Sequence, residues 1–295
     1  MKVILSRKGL DSSFIDKASP IINDRFVSIP IPQVDTGIMY KDLYFDSSTS
    51  YLQIMKDLGI NRFTEAHLDP DLRMNIKKNR TAINWKAAFG QDDNAQHHLN
   101  EKAFKYWKEG EENVPTIFLF FGWFSFAEKN KDKYVYKHIK EYRNGFHAIY
   151  GYLEVDKKIE INNENINEIR TKYPYLIDHP HIKNYNDFNE KNNTVYIAKN
   201  SLSFNSHLKG FGVFKYNESL VLSEKNNNRS TWLINKCFAG KDGNVLMSHI
   251  TEKYEKTEIH DKIRIKSNGR GQELVIENNV DEWLEELFRN NKIED

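Results

Sequence analysis

From Ala66 to Leu72 the chain reads Ala-His-Leu-Asp-Pro-Asp-Leu, which sets His67, Asp69 and Asp71 at alternate positions. An imidazole and two carboxylates on one face can move protons or ligate a metal. In extended backbone alternate side chains do share a face, roughly 6.6 Å apart per pair. Pro70 fixes its own φ, lacks an amide donor and biases Asp69 away from the helical region. The segment is therefore expected to be a strand edge or rigid loop that turns three polar groups one way, and the three are catalytic candidates.

A second chemical stretch follows the apolar run Val3–Leu5. Ser6-Arg7-Lys8-Gly9-Leu10-Asp11-Ser12-Ser13 collects two cations, a glycine, an aspartate and hydroxyls where a strand would end. Arg7, Lys8 and Ser12 could hold a phosphate, with Asp11 as a further proton-transfer candidate. The same residues would serve equally well in a solvated turn with an Asx cap. His179 and His181 flank Pro180 and are read as extended, with both rings on one side. Together with His67, Asp69 and Asp71 they offer the nitrogen and oxygen donors that suit Zn, Mn or Fe. The two groups lie far apart in the chain and no HExxH spacing is present, so hydrogen-bonded scaffolding is the favoured reading over a bound metal; no metal is assigned and the cofactor stays open. Arg270, Gln272 and Glu273 provide a planar cation, an amide and a carboxylate, a set able to read a base edge or sugar hydroxyls, or to close a tight turn. Gln91, His147 and Tyr152 complete the substrate-binding candidates with His179 and His181.

Which classes does the composition exclude? The 295 residues carry 43 basic and 42 acidic side chains, for a net charge of +1, so no global field draws the chain to nucleic acid or membrane. A single cysteine, Cys237, rules out an intramolecular disulfide and fits a reducing compartment; it is read as a buried structural thiol. The first residues become charged too soon for a signal peptide, and the longest apolar run, Thr116 to Phe126, is about half a membrane span. A cytoplasmic location is expected. There is no GxSxG elbow, Rossmann fingerprint, P-loop or zinc-deaminase signature.

The elements that must position these residues follow from periodicity. Tyr51, Ile54, Met55 and Leu58 predict a helix over Ser50–Leu58, stopped by Gly59. A second helix is expected from Asn94 to Trp107 after an Asp92-Asp93 cap, with His97 and His98 as a surface pair. Pro115 to Phe126 reads as a central strand buried on both faces, with Gly122 marking a bulge or close approach. Phe146 to Val155 is a further strand, and alternation places His147 and Tyr152 on opposite faces. Short strands are expected at Val27–Pro32, Thr194–Ala198, Phe211–Tyr216, Leu220–Leu222, Thr231–Leu233 and Leu274–Ile276, with short helices at Ile166–Arg170 and Val280–Phe288. The fold class this predicts is α+β: a mixed central sheet with peripheral helices and a strand-rich C-terminal half, in one domain over residues 1–295.

Eight short blocks in this order, MKVILSRKGLDSS from Met1, HLDPDL from His67, FGWF from Phe121, FHAIYGYLEV from Phe146, HPH from His179, NTVYIA from Asn193, GFGVF from Gly210 and GQELVI from Gly271, resemble the third of the nucleotide-modification-associated domain families of bacteria and phages. The resemblance implies a role in modifying nucleotides or DNA bases and directs attention to a nucleotide or nucleic acid as partner; it carries no established reaction. An enzyme that processes a nucleotide or DNA base, as a transferase or hydrolase, is the expected function. A non-catalytic reader of modified bases and a metal-dependent nuclease are the alternatives.

Overall fold

The structure, a computed structural model, describes residues 1–78, 80, 85–188, 192–267, 273–276 and 280–294. In chain order the strands are β1 (Lys2–Arg7), β2 (Ser19–Ile22), β3 (Arg25–Phe26), β4 (Ile31–Pro32), β5 (Ala66–His67), β6 (Ala88–Gln91), β7 (Thr116–Asn130) and β8 (Lys133–Tyr136). They continue with β9 (Phe146–Glu160), β10 (Thr194–Ala198), β11 (Phe211–Val213), β12 (Thr231–Asn235), β13 (Glu255–Lys256), β14 (Lys262–Lys266) and β15 (Glu273–Ile276). The α-helices are α1 (Tyr51–Asp57), α2 (Asp93–Lys102), α3 (Ile166–Lys172), α4 (Pro180–Lys183) and α5 (Asp281–Asn290). This is an α+β fold, as the sequence predicts.

The apolar run from Thr116 forms the long central strand β7. Every residue from Thr116 to Phe124 is buried, because β7 lies between β1 and β9 and both its faces are covered. The sheet path runs β15-β1-β7-β9-β10-β6; β1 and β7 are parallel, and the other pairs on the path are antiparallel. Its register shifts between Phe120 and Phe121, next to Gly122, whose missing side chain leaves room for the Lys8 carbonyl. The sheet is rolled rather than flat. Phe89 of β6, at one end of the path, stacks on Tyr196 and meets Phe118 and Phe120 edge-on. The two ends of the path touch directly, since the Gln91 amide donates to Glu273 of β15.

Three apolar cores surround this roll. One fills it with aromatic side chains, a second joins α1 to residues 10–76, and a third lies under α3 and α4. Leu72 belongs to the first, Leu68 to the second and Ala88 to the third, so the segment from His67 to Leu72 crosses their junction.

Several expectations need correction. The helix after Asp92 ends at Lys102, because the Ala103 and Phe104 amides both bond the Leu99 carbonyl and tighten the last turn; Tyr106 then points outward, 79% exposed. His98 is half-buried against the Ser248 hydroxyl at 3.0 Å and is not a surface partner of His97. Residues 218–220 form a 3-10 turn in place of a strand, since the Asn217 side chain accepts from the Ser219 amide at 3.0 Å. In the stretch Val27–Pro32 only Ile31–Pro32 is strand. Among the described residues no helix is long and apolar enough to cross a membrane.

Candidate functional site

His67 is the last residue of β5, which pairs with β4 through Ile31. Because the strand stops there, the alternation that would have carried Asp71 to the same face stops too. A cis peptide joins Asp69 to Pro70. Asp69 turns inward and Asp71 turns toward a cleft, where Arg80 grips its carboxylate at 2.6 and 3.2 Å. Burial pushes the Asp71 carboxyl up, against the pull of the Arg80 guanidinium. The expected triplet is thus a pair plus a diverted third member.

What completes the pair is the His179–His181 segment. It is not extended: Pro180 occupies the first position of α4, which suits a ring that fixes φ and needs no donor. His179 precedes the helix and His181 sits in its first turn, with ring centres 5.8 Å apart. His179 and His67 reach Asp69. The His179 Nε2 lies 3.4 Å from Asp69 Oδ1, and the His67 Nε2 lies 3.8 Å from Oδ2. Oδ1 also accepts the Gly90 amide at 2.8 Å. His67, Asp69, His179 and His181 are 7%, 8%, 6% and 3% exposed, so the cluster is nearly closed to bulk water.

Two amides orient two of the rings. Asn193 donates through Nδ2 to the His181 carbonyl at 2.9 Å, which fixes the direction of its amide. Its Oδ1 then faces His181 Nδ1 at 2.7 Å and can only accept. His181 therefore carries its proton on Nδ1 and leaves Nε2 bare. Gln33 Oε1 meets His67 Nδ1 in the same sense. Gly90 admits the His181 ring: a Cβ there would come closest to Cδ2 and lie 2.5 Å from Cγ and 2.7 Å from Nε2. Phe188 stacks on the other side of the ring at 4.4 Å.

Electrostatics follow the geometry. Burial alone would raise the Asp69 carboxyl, but the imidazoles of His179 and His67 beside it hold it well below the usual carboxylate range. Burial pushes the His181 imidazole down to about 3, so it is neutral. The donor atoms of His67, Asp69 and His181 all lie within 4.8 Å of one another, which makes them the group among the described residues that could hold a metal ion.

A cleft of about 360 Å³ opens beside the cluster, with His179 among its lining residues. Lys77, Arg80 and Lys86 line it, paired with Asp178, Asp71 and Asp156, and Trp85 and Tyr175 give it aromatic surface. Arg80 also lies over the Trp85 ring at 5.0 Å. Sequence reasoning missed Gly90, Gln33, Asn193, Lys77, Arg80, Trp85 and Lys86; apart from a tryptophan followed by a lysine, nothing in their spacing marked them.

The remaining candidates lie elsewhere. Arg7 pairs with Asp11 at 3.6 Å, Asp11 caps the Ser13 amide at 2.8 Å, and Ser12 accepts from Arg229 at 3.2 Å. This is the Asx-capped turn, and none of these residues lines the cleft. Lys8 and Gln91 converge on buried Glu273, which also accepts from Ser6 at 3.0 Å; the group closes the sheet. Tyr152 is core, its hydroxyl bonded to the Lys209 carbonyl at 3.1 Å and its ring against Phe214 and Phe288, because α5 covers that face of β9. His147 accepts from Trp232 at 3.1 Å inside the roll, and burial, aided by Arg7 and Arg229, pushes it down to about 3. Cys237 is half-buried, its thiol pushed up to about 12 by burial. Arg270 and Gln272 fall outside the described residues.

No curated protein and no solved structure matches the chain. The model of the family described as nucleotide modification associated domain 3 matches residues 2–277, nearly the whole length, and the chain belongs to that family.

Proposed function

We propose that this chain is an enzyme of nucleotide or DNA-base modification, acting as one domain, whose substrate enters the cleft between Asp71 and His179. One observation carries the reading. Neither ring nitrogen of buried His179 has a hydrogen-bond partner among the described residues, yet the ring stands between the cleft and the Asp69 carboxylate. Beyond the 3.4 Å ion-pair contact of Nε2 with Asp69 the ring has no polar partner, and a buried imidazole so thinly satisfied is costly in a purely structural role. It suits a group that meets its partner in substrate. Asp69 orients the ring, and His179 holds or passes a proton at the atom that faces the bound substrate.

The cleft walls support the choice of substrate. Lys77, Arg80 and Lys86 match a phosphate, while Trp85 and Tyr175 offer faces on which a base can stack. A volume of about 360 Å³ falls in the range of small-ligand sites. The test is turnover: purified protein is incubated with nucleotides and with oligonucleotides, and products are read by mass spectrometry. A mass-shifted product that disappears in His179→Gln supports the reading. Turnover unchanged in His179→Gln, or tight binding with no product under any condition, overturns it; the latter outcome returns the reader of modified bases.

A further inference from the structure

We propose that His67 Nε2, Asp69 Oδ2 and His181 Nε2 form a binding site for one divalent first-row transition-metal ion. The inference rests on the same cluster as the proposed function and deepens it.

Orientation argues first. A metal-binding imidazole offers one bare nitrogen and donates the other N–H to a carbonyl or carboxylate, which fixes the tautomer. His181 has that arrangement, since Asn193 can only accept at Nδ1. His67 repeats it with Gln33. The Nε2 atoms of two oriented imidazoles thus lie beside one carboxylate where three apolar cores meet.

Spacing argues next. The His67–Asp69 separation of 3.8 Å is too long for an N–H···O hydrogen bond. Two donors bound to one ion at about 2.1 Å stand roughly 3–3.6 Å apart for bond angles of 90–120°. The observed separation is nearer to that, and all three donors lie within 4.8 Å of one another, so a closure of about an ångström in the longest separation completes the shell. Asp69 divides its oxygens accordingly: Oδ1 serves Gly90 and His179, and Oδ2 faces His67.

Buried His179 is a further sign, because its Nε2 lies 3.4 Å from the same carboxylate while Nδ1 has no hydrogen-bond partner among the described residues, and the ring lines the cleft. It is placed to meet a water or substrate oxygen held by the ion. Two imidazoles and one carboxylate suit Zn(II), Fe(II) or Mn(II) and leave coordination positions open. A dication with one carboxylate also adds net positive charge beside a cleft whose three cations are paired with Asp71, Asp178 and Asp156.

Equilibrium dialysis of the full chain against Zn(II), Mn(II) or anaerobic Fe(II), read by elemental analysis, tests the site, and Co(II) absorption reports the donor set. One ion per chain is expected, with Co(II) bands of a nitrogen–oxygen environment. Asp69→Asn and His181→Gln should abolish binding. Asn193→Leu should weaken it 10- to 100-fold, and Asn193→Asp, which restores the acceptor, should recover most of that. A rise of the wild-type melting temperature with metal gives a readout that needs no variant to fold. Sub-stoichiometric binding, binding unaffected by these substitutions, or a melting temperature indifferent to all three ions would overturn the proposal. Metal bound here without nucleotide turnover would leave the centre standing and remove the proposed function.

Discussion

Gly90→Ala is the substitution that most directly interrogates the site geometry. The added methyl would lie 2.5 Å from His181 Cγ and 2.7 Å from Nε2, where ordinary contact is 3.4–4 Å. Roughly an ångström must open. The ring cannot retreat freely, because Phe188 stacks at 4.4 Å behind it and Asn193 holds its Nδ1 at 2.7 Å. Overpacking of this kind costs about 1–3 kcal/mol. The Gly90 amide that serves Asp69 survives the change, so the penalty isolates the clash. Guanidinium unfolding followed by tryptophan fluorescence should show that loss in the wild-type background and almost none in His181→Ala, where the methyl enters vacated space. The cycle predicts a coupling of about 1–3 kcal/mol. Equal effects in both backgrounds, or a loss under about 0.5 kcal/mol, would refute the packing described here. An ångström of ring displacement should also lower turnover by up to roughly 100-fold.

Other expectations follow from the same contacts. Trp85→Ala should weaken nucleotide binding by about 1–3 kcal/mol if the indole stacks a base, measured by calorimetry, while Lys86→Ala raises KM with little change in kcat. Glu273→Leu strands Lys8 and leaves the Gln91 amide and Ser6 hydroxyl without their acceptor, and should cost about 3–5 kcal/mol, with Lys8→Met/Glu273→Leu recovering only the part due to the stranded charge in thermal melts. His147 stays neutral in the folded protein down to about pH 3, whereas the unfolded chain protonates it below its ordinary value of 6.5. Unfolding therefore takes up a proton between these limits, and stability falls as pH falls through that window, by up to about 1.4 kcal/mol per pH unit from this group. His147→Gln, which keeps an acceptor for Trp232, should show the shallower acid dependence; parallel curves would contradict the burial assigned to the ring.

How much of this could be read from the chain depended on the range of each interaction. The α1 helix was legible because its apolar residues, the Ser50 cap and Gly59 are all local, and β7 because its run is continuous. His67 and Asp69 were legible as chemistry by residue type. Their face was not, since alternation holds only while a strand lasts and β5 ends at His67. The HPH motif carried a signal that was misread: a proline at the first helical position starts a helix as readily as it extends a strand. Neither Gln33 nor Asn193 has a local signature, because an amide that orients a ring is defined by contact across the fold. The Arg7 turn was ambiguous in sequence, and Arg229, distant in the chain, decides it by engaging Ser12.

The meeting of the sheet's two ends has a consequence for the order in which the chain can fold. The register sets Val3 opposite Ile276 on one side and Ile117 on the other. A ribosome delivers Val3 more than 250 residues before Ile276, so β1 waits through the synthesis of that span with one edge open. Loop closure over such a span is slow, and the exposed sequence Val3-Ile4-Leu5 is an apolar strand edge of the sort that pairs with other chains. Truncation before Glu273 should therefore yield an aggregating nascent product, even though every residue of the His67–His181 cluster has already been made.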